Sequence, residues 1–308
     1  PFHIPSADSY HGGMSASHPV IAQLADVVGA GAVITDRDEL AVYESDGFPI
    51  ARGLPTAVIF PQTTAQVARC LKAMATHDDM QIIPRGSGTG LAGGCVAFGG
   101  GVIVSTSRMN RIESIDLDNR VAVVQAGVRN TQLSDAIAAS GLHFSPDPSS
   151  EKASTIGGNA ATNAGGINTL KHGVTTNHIL GLEMVLADGT VLTTRGAARH
   201  DGVGPDLPGL ICGSEGTLGI ITKLWCRLTP RPRSMRTVYA MFASTRDGAQ
   251  SVSDVIATGI IPTSMEMIDG AMVRVIEDAF HFGFPADAQA MLLIEIDGVE
   301  DILDDQLA

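Results

Sequence analysis

The chain has 308 residues, 44% hydrophobic and 17% charged, with a formal net charge of −13 and a pI near 5.0. That apolar content supplies a sizeable core and excludes a chain disordered over most of its length. The acidic balance, broken only by the sparse RPRSMR from Arg231, excludes a basic nucleic-acid face, and no apolar run is long enough to span a bilayer.

The opening PFHIPSADSYHGG has no periodicity. Residues 1–13 read as an appended or upstream segment, with Met14 as a natural start. His18 to Val28 then predicts a helix. TAVIF (56–60) predicts a strand. TTAQVARCLKAMATH predicts a helix that buries Val67, Cys70, Leu71 and Met74 at the 3.6-residue period. Thr63 and Gln66 form a candidate capping box for it. QIIPR (81–85) predicts the next strand, which runs into PRGSGTGLAGG.

Gly88-x-Gly90-x-x-Gly93 matches the dinucleotide fingerprint of a Rossmann fold letter for letter. A Rossmann loop must open a helix, because the pyrophosphate sits on that helix's N-terminus. Here CVAFGGGVIVSTSRM follows; Gly99, Gly100 and Gly101 oppose a helix, and GVIVST predicts a strand. Glu113 stands where the ribose-binding acid would be expected, but with no helix between, the match is coincidence. An NAD-dependent Rossmann enzyme is therefore disfavoured. The loop joins two strands, and its successive amides can still form an anion-binding concavity.

RVAVVQAG (120–127) predicts a strand and TQLSDAIAAS a helix closed by Gly141. Residues 145–179 contain no regular strand; they are small, polar and glycine-rich, and so long an irregular segment points to function. LEMVLADGTVLTT predicts a hairpin with a two-residue Asp188-Gly189 turn. A glycine-rich turn and a strand from Gly219 to Leu228 lead to a boundary at Pro230 and Pro232. Cys70, Cys95, Cys212 and Cys226 form no C-x-x-C pair, so they read as buried, reduced thiols of a cytosolic protein.

Beyond the boundary the texture changes. RTVYAMFAS predicts a strand. DGAQSVSDVIATG predicts a helix with Ala249, Val252 and Ile256 inward and Gly259 closing it. AMVRVIEDAF repeats the pattern at Met272, Val275, Ile276 and Ala279, with His281 still inside it. AMLLIEIDG (290–298) predicts a buried strand. A β-α-α-β order suggests a second α+β domain. One strand pair is thin for a domain, so the chain reads as cut off within it at Ala308.

PRGSGTGLAGG, SPDPSS, TIGGNAATNAGG, LKHGVTTNHILGLEMVLADG and GSEGTLGIIT, in that order, resemble the FAD-linked 2-hydroxy-acid dehydrogenases of the vanillyl-alcohol oxidase and p-cresol methylhydroxylase superfamily. The likeness runs from Arg37 to Asp301. It is greatest to the flavin-binding large-subunit branch of bacterial glycolate oxidases, which IIPTSMEMIDGAMVRVIEDAFHFGFPADAQAMLLIEIDGVE resembles specifically. It implies an α+β fold of the p-cresol methylhydroxylase type: a two-subdomain FAD-binding domain over 14–232, then the start of an α+β cap domain over 233–308.

The resemblance also implies site roles. Arg85, Gly86, Ser87, Gly88, Thr89 and Gly90 would bind the FAD diphosphate, largely through backbone amides. Pro146, Asp147, Pro148 and Ser149 would line the flavin's path. Thr155, Gly157, Gly158, Asn159, Asn163, Gly165, Gly166 and Val174 would pack along the extended cofactor. Glu215, Gly219 and Ile221 would hold the adenine end or its neighbouring backbone. Taken singly, each glycine also fits an ordinary turn.

Some relatives tether FAD through a histidine in the first glycine loop. Neither histidine nor cysteine lies between Pro84 and Gly94, so the expectation is non-covalent FAD, with Cys95 packing. His172 and His178 receive no catalytic role. The implied activity is oxidation of a small 2-hydroxy acid, glycolate or D-lactate in type, by hydride transfer to flavin N5. The family's divalent metal is held by histidines of H-x-G-D-G-N-x-H and G-E-H-G motifs; neither occurs here, and no catalytic or metal residue is assigned. Residues 1–308 are expected to hold FAD without turning over substrate. The implied partners are a second flavin-binding subunit and an iron–sulfur subunit; the implied location is the cytoplasm, with peripheral membrane association through those partners. A non-catalytic FAD-binding module is the alternative. A cell-wall-precursor reductase shares the cradle but not the second-domain likeness.

Overall fold

The structure is a computed structural model and describes residues 18–77, 80–194, 196 and 204–307. The expected upstream segment and Met14 lie outside the described residues. The chain forms two compact units. The first comprises residues up to Phe144, Ser150–Ala164 and Thr175–Thr229; the second comprises Ser145–Ser149, Gly165–Val174 and Pro230–Ala308.

The first unit holds a four-stranded sheet of β1 (Val33–Ile34), β2 (Ala57–Ile59), β3 (Ile82–Arg85) and β4 (Val102–Ser105), in the order β1-β2-β4-β3. β4 lies parallel to both β2 and β3. β2 and β4 are buried throughout, as unbroken apolar runs in a parallel sheet require. Helices α1 (Pro19–Val28), the short α2 (Arg37–Leu40) and α3 (Thr64–Met74) accompany the sheet.

α1 places Pro at its start and takes a cap from His18, whose Nδ1 accepts from the Val20 amide at 3.2 Å. α3 buries Val67, Cys70, Leu71 and Met74, the expected stripe. Burying such a side chain is worth about 1.5–3 kcal/mol. Its capping box is half formed. Thr63 Oγ1 accepts from Gln66 N at 3.2 Å, but Gln66 Oε1 turns to the Gln62 amide at 2.7 Å instead of Thr63 N.

The five-stranded antiparallel sheet runs β5-β6-β10-β8-β9, from β5 (Ile112–Asp116), β6 (Val121–Gln125), β8 (Ile179–Val185), β9 (Val191–Thr193) and β10 (Ile220–Arg227). α4 (Asn130–Ile137) ends through a 3₁₀ turn at Gly141, left-handed at φ 70° as its C′ position requires. β7 (Leu142–His143) pairs with β11 (Thr229–Pro230). The β8–β9 turn differs from the expected two-residue form. Gly189 N donates to Leu186 O and Leu186 N to Thr190 O, both at 2.9 Å, with Gly189 at φ 84°. Ala187 and Asp188 form the turn and Gly189 is the left-handed residue that follows it. Gly189 lies against α3, where a Cβ would stand 2.6 Å from Ala68 O. That docking selects the longer turn.

Residues 145–178 contain no strand, the expected segment's last residue, Ile179, opening β8, but they do contain helices α5 (Ile156–Thr162) and α6 (Thr169–His172). Gly157 and Gly158 oppose a helix by propensity. Tertiary bonding overrides this: Gly157 N donates to Ala126 O at 2.8 Å, and a Cβ at Gly157 would stand 2.5 Å from that of Ala126. α7 (Leu207–Ile211) completes the first unit.

The second unit is built on a three-stranded sheet, β12-β14-β13, with β12 (Ser234–Phe242), β13 (Ser264–Asp269) and central β14 (Ala290–Gly298). β13 (SMEMID) was not anticipated, because its short alternation of apolar and polar residues carries little signal. With α8 (Thr245–Ala257), α9 (Gly270–Phe280) and α10 (Glu300–Leu307), the order is β-α-β-α-β-α. The inward faces also differ from expectation. In α8, Ala249 and Ile256 are exposed, while buried Gly248 sets the phase against β14, a Cβ there standing 3.4 Å from that of Ala290. In α9, Val273 is buried, whereas Met272 and Val275 are 52% and 60% exposed and Ala279 faces solvent. Gly270, tight against Ala288 O, fixes that rotation. His281 is the left-handed cap of α9 at φ 55° and not a helical residue.

Candidate cofactor site

The loop leaving β3 reaches parallel β4 without any helix, although such a crossover ordinarily contains one. Its interior is occupied by Arg85, the last residue of β3 and only 8% exposed. Arg85 Nη2 donates to Ser45 O at 2.9 Å, and Nη1 reaches Cys95 O at 3.4 Å and Cys95 Sγ at 3.3 Å. The guanidinium lies 5.5 Å from the centre of the Tyr43 ring. Gly88, at φ 71°, folds over this cation so closely that a Cβ would overlap Arg85 Nη2. Glycine is required there twice over, by conformation and by space.

On its other flank the loop meets α5. A Cβ at Gly86 would stand 2.7 Å from Thr155 Oγ1, which itself caps α5 by accepting from Gly158 N at 3.2 Å. Ser87 Oγ donates to Ala153 O at 2.6 Å. Gly90 is open: the nearest atom to a Cβ there is Asp46 Oδ2 at 3.9 Å. The amides of Ser87, Gly88, Thr89 and Gly90 have no acceptor among the described residues. Four consecutive unpartnered donors, with a buried cation beneath them, are what a diphosphate needs.

Glu215 joins the same cluster from the β10 side. It adopts φ 53°, donates its amide to Ala161 O at 2.8 Å, and brings Oε2 within 2.9 Å of where a Gly94 Cβ would be. The remaining expected residues of the first unit pack protein against protein. Gly219, at φ 147°, lies against Met184 and Val185; Ile221 is buried in β10. Buried Asn159 donates to Asn130 Oδ1 at 3.3 Å, and Asn163 Oδ1 accepts from Thr176 N at 2.9 Å. Gly157 seats α5 on Ala126.

In the second unit, the two expected segments hold each other. Asp147 Oδ1 accepts from Asn168 N at 3.2 Å, and a Cβ at Gly166 would overlap Asp147 O. A Cβ at Gly165 would lie 3.7 Å from Val174 Cγ1. Pro146, Pro148 and Ser149 belong to the same unit. Lys171 binds both the carboxylate and the carbonyl oxygen of Asp297 at the end of β14, and burial lowers its pKa. Burial, then the Lys171 charge, lowers the pKa of His172 as well.

Residues 55–195 match the family described as "FAD binding domain", and residues 231–308 match "FAD linked oxidases, C-terminal domain". The glycolate oxidase subunit GlcD of Bacillus subtilis (strain 168) is 44% identical over 83% of this chain and 54% of its own length. A D-lactate dehydrogenase of Archaeoglobus fulgidus is 40% identical over 71% of this chain and 48% of its own. The chain belongs to the FAD-linked oxidase family. It spans about half the length of the curated relatives it matches.

Solved structures show the same fold for this chain at low identity. Alkyldihydroxyacetonephosphate synthase superposes with a TM-score of 0.82 at 19% identity, covering 100% of this chain and 62% of that one. p-Cresol methylhydroxylase gives 0.77 at 19% identity, covering 96% and 64%. The fold is thus the α+β, p-cresol methylhydroxylase type that the motif order implied.

All four cysteines of the chain are free thiols. Burial pushes the Cys70 thiol up to about 12 and raises those of Cys95, Cys212 and Cys226, which keeps them protonated at neutral pH. Among the described residues, no group of three His, Cys, Asp or Glu is placed to hold a metal, and no helix is long and apolar enough to cross a membrane. The segment missed by sequence reasoning is Tyr43–Gly53, whose Ser45 and Tyr43 hold Arg85. Its one legible signal is the turn composition of Ser45-Asp46-Gly47.

Proposed function

We propose that this FAD-linked oxidase binds FAD non-covalently and serves the oxidation of a small 2-hydroxy acid, of the glycolate or D-lactate type, to the 2-oxo acid. The observation that carries the reading is the helix-free loop, whose Ser87–Gly90 amides stand unpartnered over the Arg85 cation. FAD, when bound, supplies the hydride acceptor at flavin N5. The amides of Ser87 to Gly90 take the diphosphate, with Arg85 adding positive potential from below. Thr155, Gly158 and Glu215 close the flanks of that loop. Gly157, Asn159, Asn163, Gly219 and Ile221 hold the backbone that carries it. In the second unit, Asp147, Gly165, Gly166 and Val174 shape the segments 145–149 and 165–174.

Residues 14–232 form the FAD-binding domain and 233–308 the first part of the cap domain. The relatives named as glycolate oxidase subunits support assembly with further subunits; that one of them binds flavin and one carries iron–sulfur clusters is what the family resemblance implies. No substrate-polarising metal is assigned to residues of this chain.

Reconstitution with FAD tests the reading. Purified protein should retain flavin through gel filtration and show oxidised-flavin absorption, and denaturation should release all of it. Loss of flavin on the column would overturn the proposal. With residues 1–308 alone, the flavin should stay oxidised when glycolate or D-lactate is added anaerobically. Bleaching would show instead that these residues suffice for substrate chemistry.

A further inference from the structure

The family match begins at residue 55, yet the segment Tyr43–Gly53 lies directly against the 86–94 loop. The segment closes on itself. Asp46 Oδ1 accepts from the Phe48 amide, Gly53 N donates to Glu44 O, and Arg52 Nη1 pairs with Glu44 Oε1, each at 2.8 Å. It then engages the loop from outside through Ser45 O and the Tyr43 ring on Arg85, and through Gly47 on the loop backbone. A Cβ at Gly47 would stand 2.7 Å from Gly90 O and 3.0 Å from Thr89 O. Gly47 is exposed, and its backbone is not left-handed. Neither burial nor conformation therefore demands glycine there; contact with the loop does.

We propose that Tyr43–Gly53 is the outer wall of the dinucleotide site and that Gly47 is a positioning residue for its diphosphate. Thr89 O and Gly90 N share one peptide plane, so a group that displaces this carbonyl turns the amide as well. A methyl at residue 47 would push both oxygens and spoil the alignment of the donors. The inference rests on the FAD reading above and adds a structural element to it.

The test compares Gly47→Ala and Gly47→Val with Gly31→Ala, where an added Cβ meets nothing within 4 Å. FAD affinity is measured by flavin fluorescence quenching. Hydrogen exchange at the 87–91 amides and the melting temperature are measured on the FAD-free protein. Gly47→Ala should weaken FAD binding about tenfold, and Gly47→Val more, because small misplacements of preorganised donors carry large penalties. Melting should move by less than about 2 °C, as expected of an exposed site. Exchange at 87–91 should change in both variants, and Gly31→Ala should match wild type throughout. FAD affinities of both Gly47 variants within about twofold of wild type (about 0.4 kcal/mol) would overturn the proposal. If wild type itself binds no FAD, the cofactor reading fails, and unchanged exchange at 87–91 in Gly47→Ala would separately sink the wall.

Discussion

Arg85 and Gly88 show what a glycine motif can and cannot disclose. The motif implies close approach, and close approach is what the structure has, but at Gly88 the partner is the protein's own guanidinium. Gly86 and Gly157 likewise meet Thr155 and Ala126. In sequence, a glycine needed against a ligand and one needed against a side chain are the same letter. Gly88→Ala would place a side chain at φ 71° on top of Arg85, and should destabilise the FAD-free protein by about 1–3 kcal/mol in urea titration. A smaller loss would mean the loop relaxes around the methyl. Cys70 gives a pH test. Its thiol is raised from 9.0 to about 12 in the folded state, so folding favours the protonated form. That contribution is complete below pH 9 and disappears as pH rises through 12. Stability should therefore fall over this alkaline window, and less steeply in Cys70→Ala.

Among the elements, period and burial agree where one face is packed by large side chains. α3 was legible because Val67, Cys70, Leu71 and Met74 all point into one core. Leu71→Ala should cost about 2–5 kcal/mol, read from the urea midpoint. α8 and α9 were legible as helices, but their phase was not: Gly248 and Gly270, which an apolar count ignores, decide which side meets the sheet. Met272→Ser and Val275→Ser should accordingly stay within about 0.5 kcal/mol of wild type, and a larger loss in either would restore the original phase. β13 escaped notice because a short strand with half-exposed alternation differs little from a loop. α5 escaped because the bonds that hold it come from Ala126, far away in sequence.

At the scale of the whole molecule, the motif order carried the fold, while local propensity placed only some of its parts. The motifs run continuously along the chain but divide between compact units: TIGGNAATNA stays with the first, and Gly165–Val174 joins the second. Lys171, bonded to Asp297, anchors that second segment within its unit. Lys171→Met should raise hydrogen exchange across residues 165–174 and leave the β2–β4 amides protected. The amides of Ser87 to Gly90 offer the most direct trial of the cofactor reading, through their ¹⁵N–¹H resonances on titration with FAD. These four should shift more than any others in the first unit, in step with flavin fluorescence quenching. FAD that binds and leaves them unmoved would place the diphosphate elsewhere and contradict the site proposed for this chain.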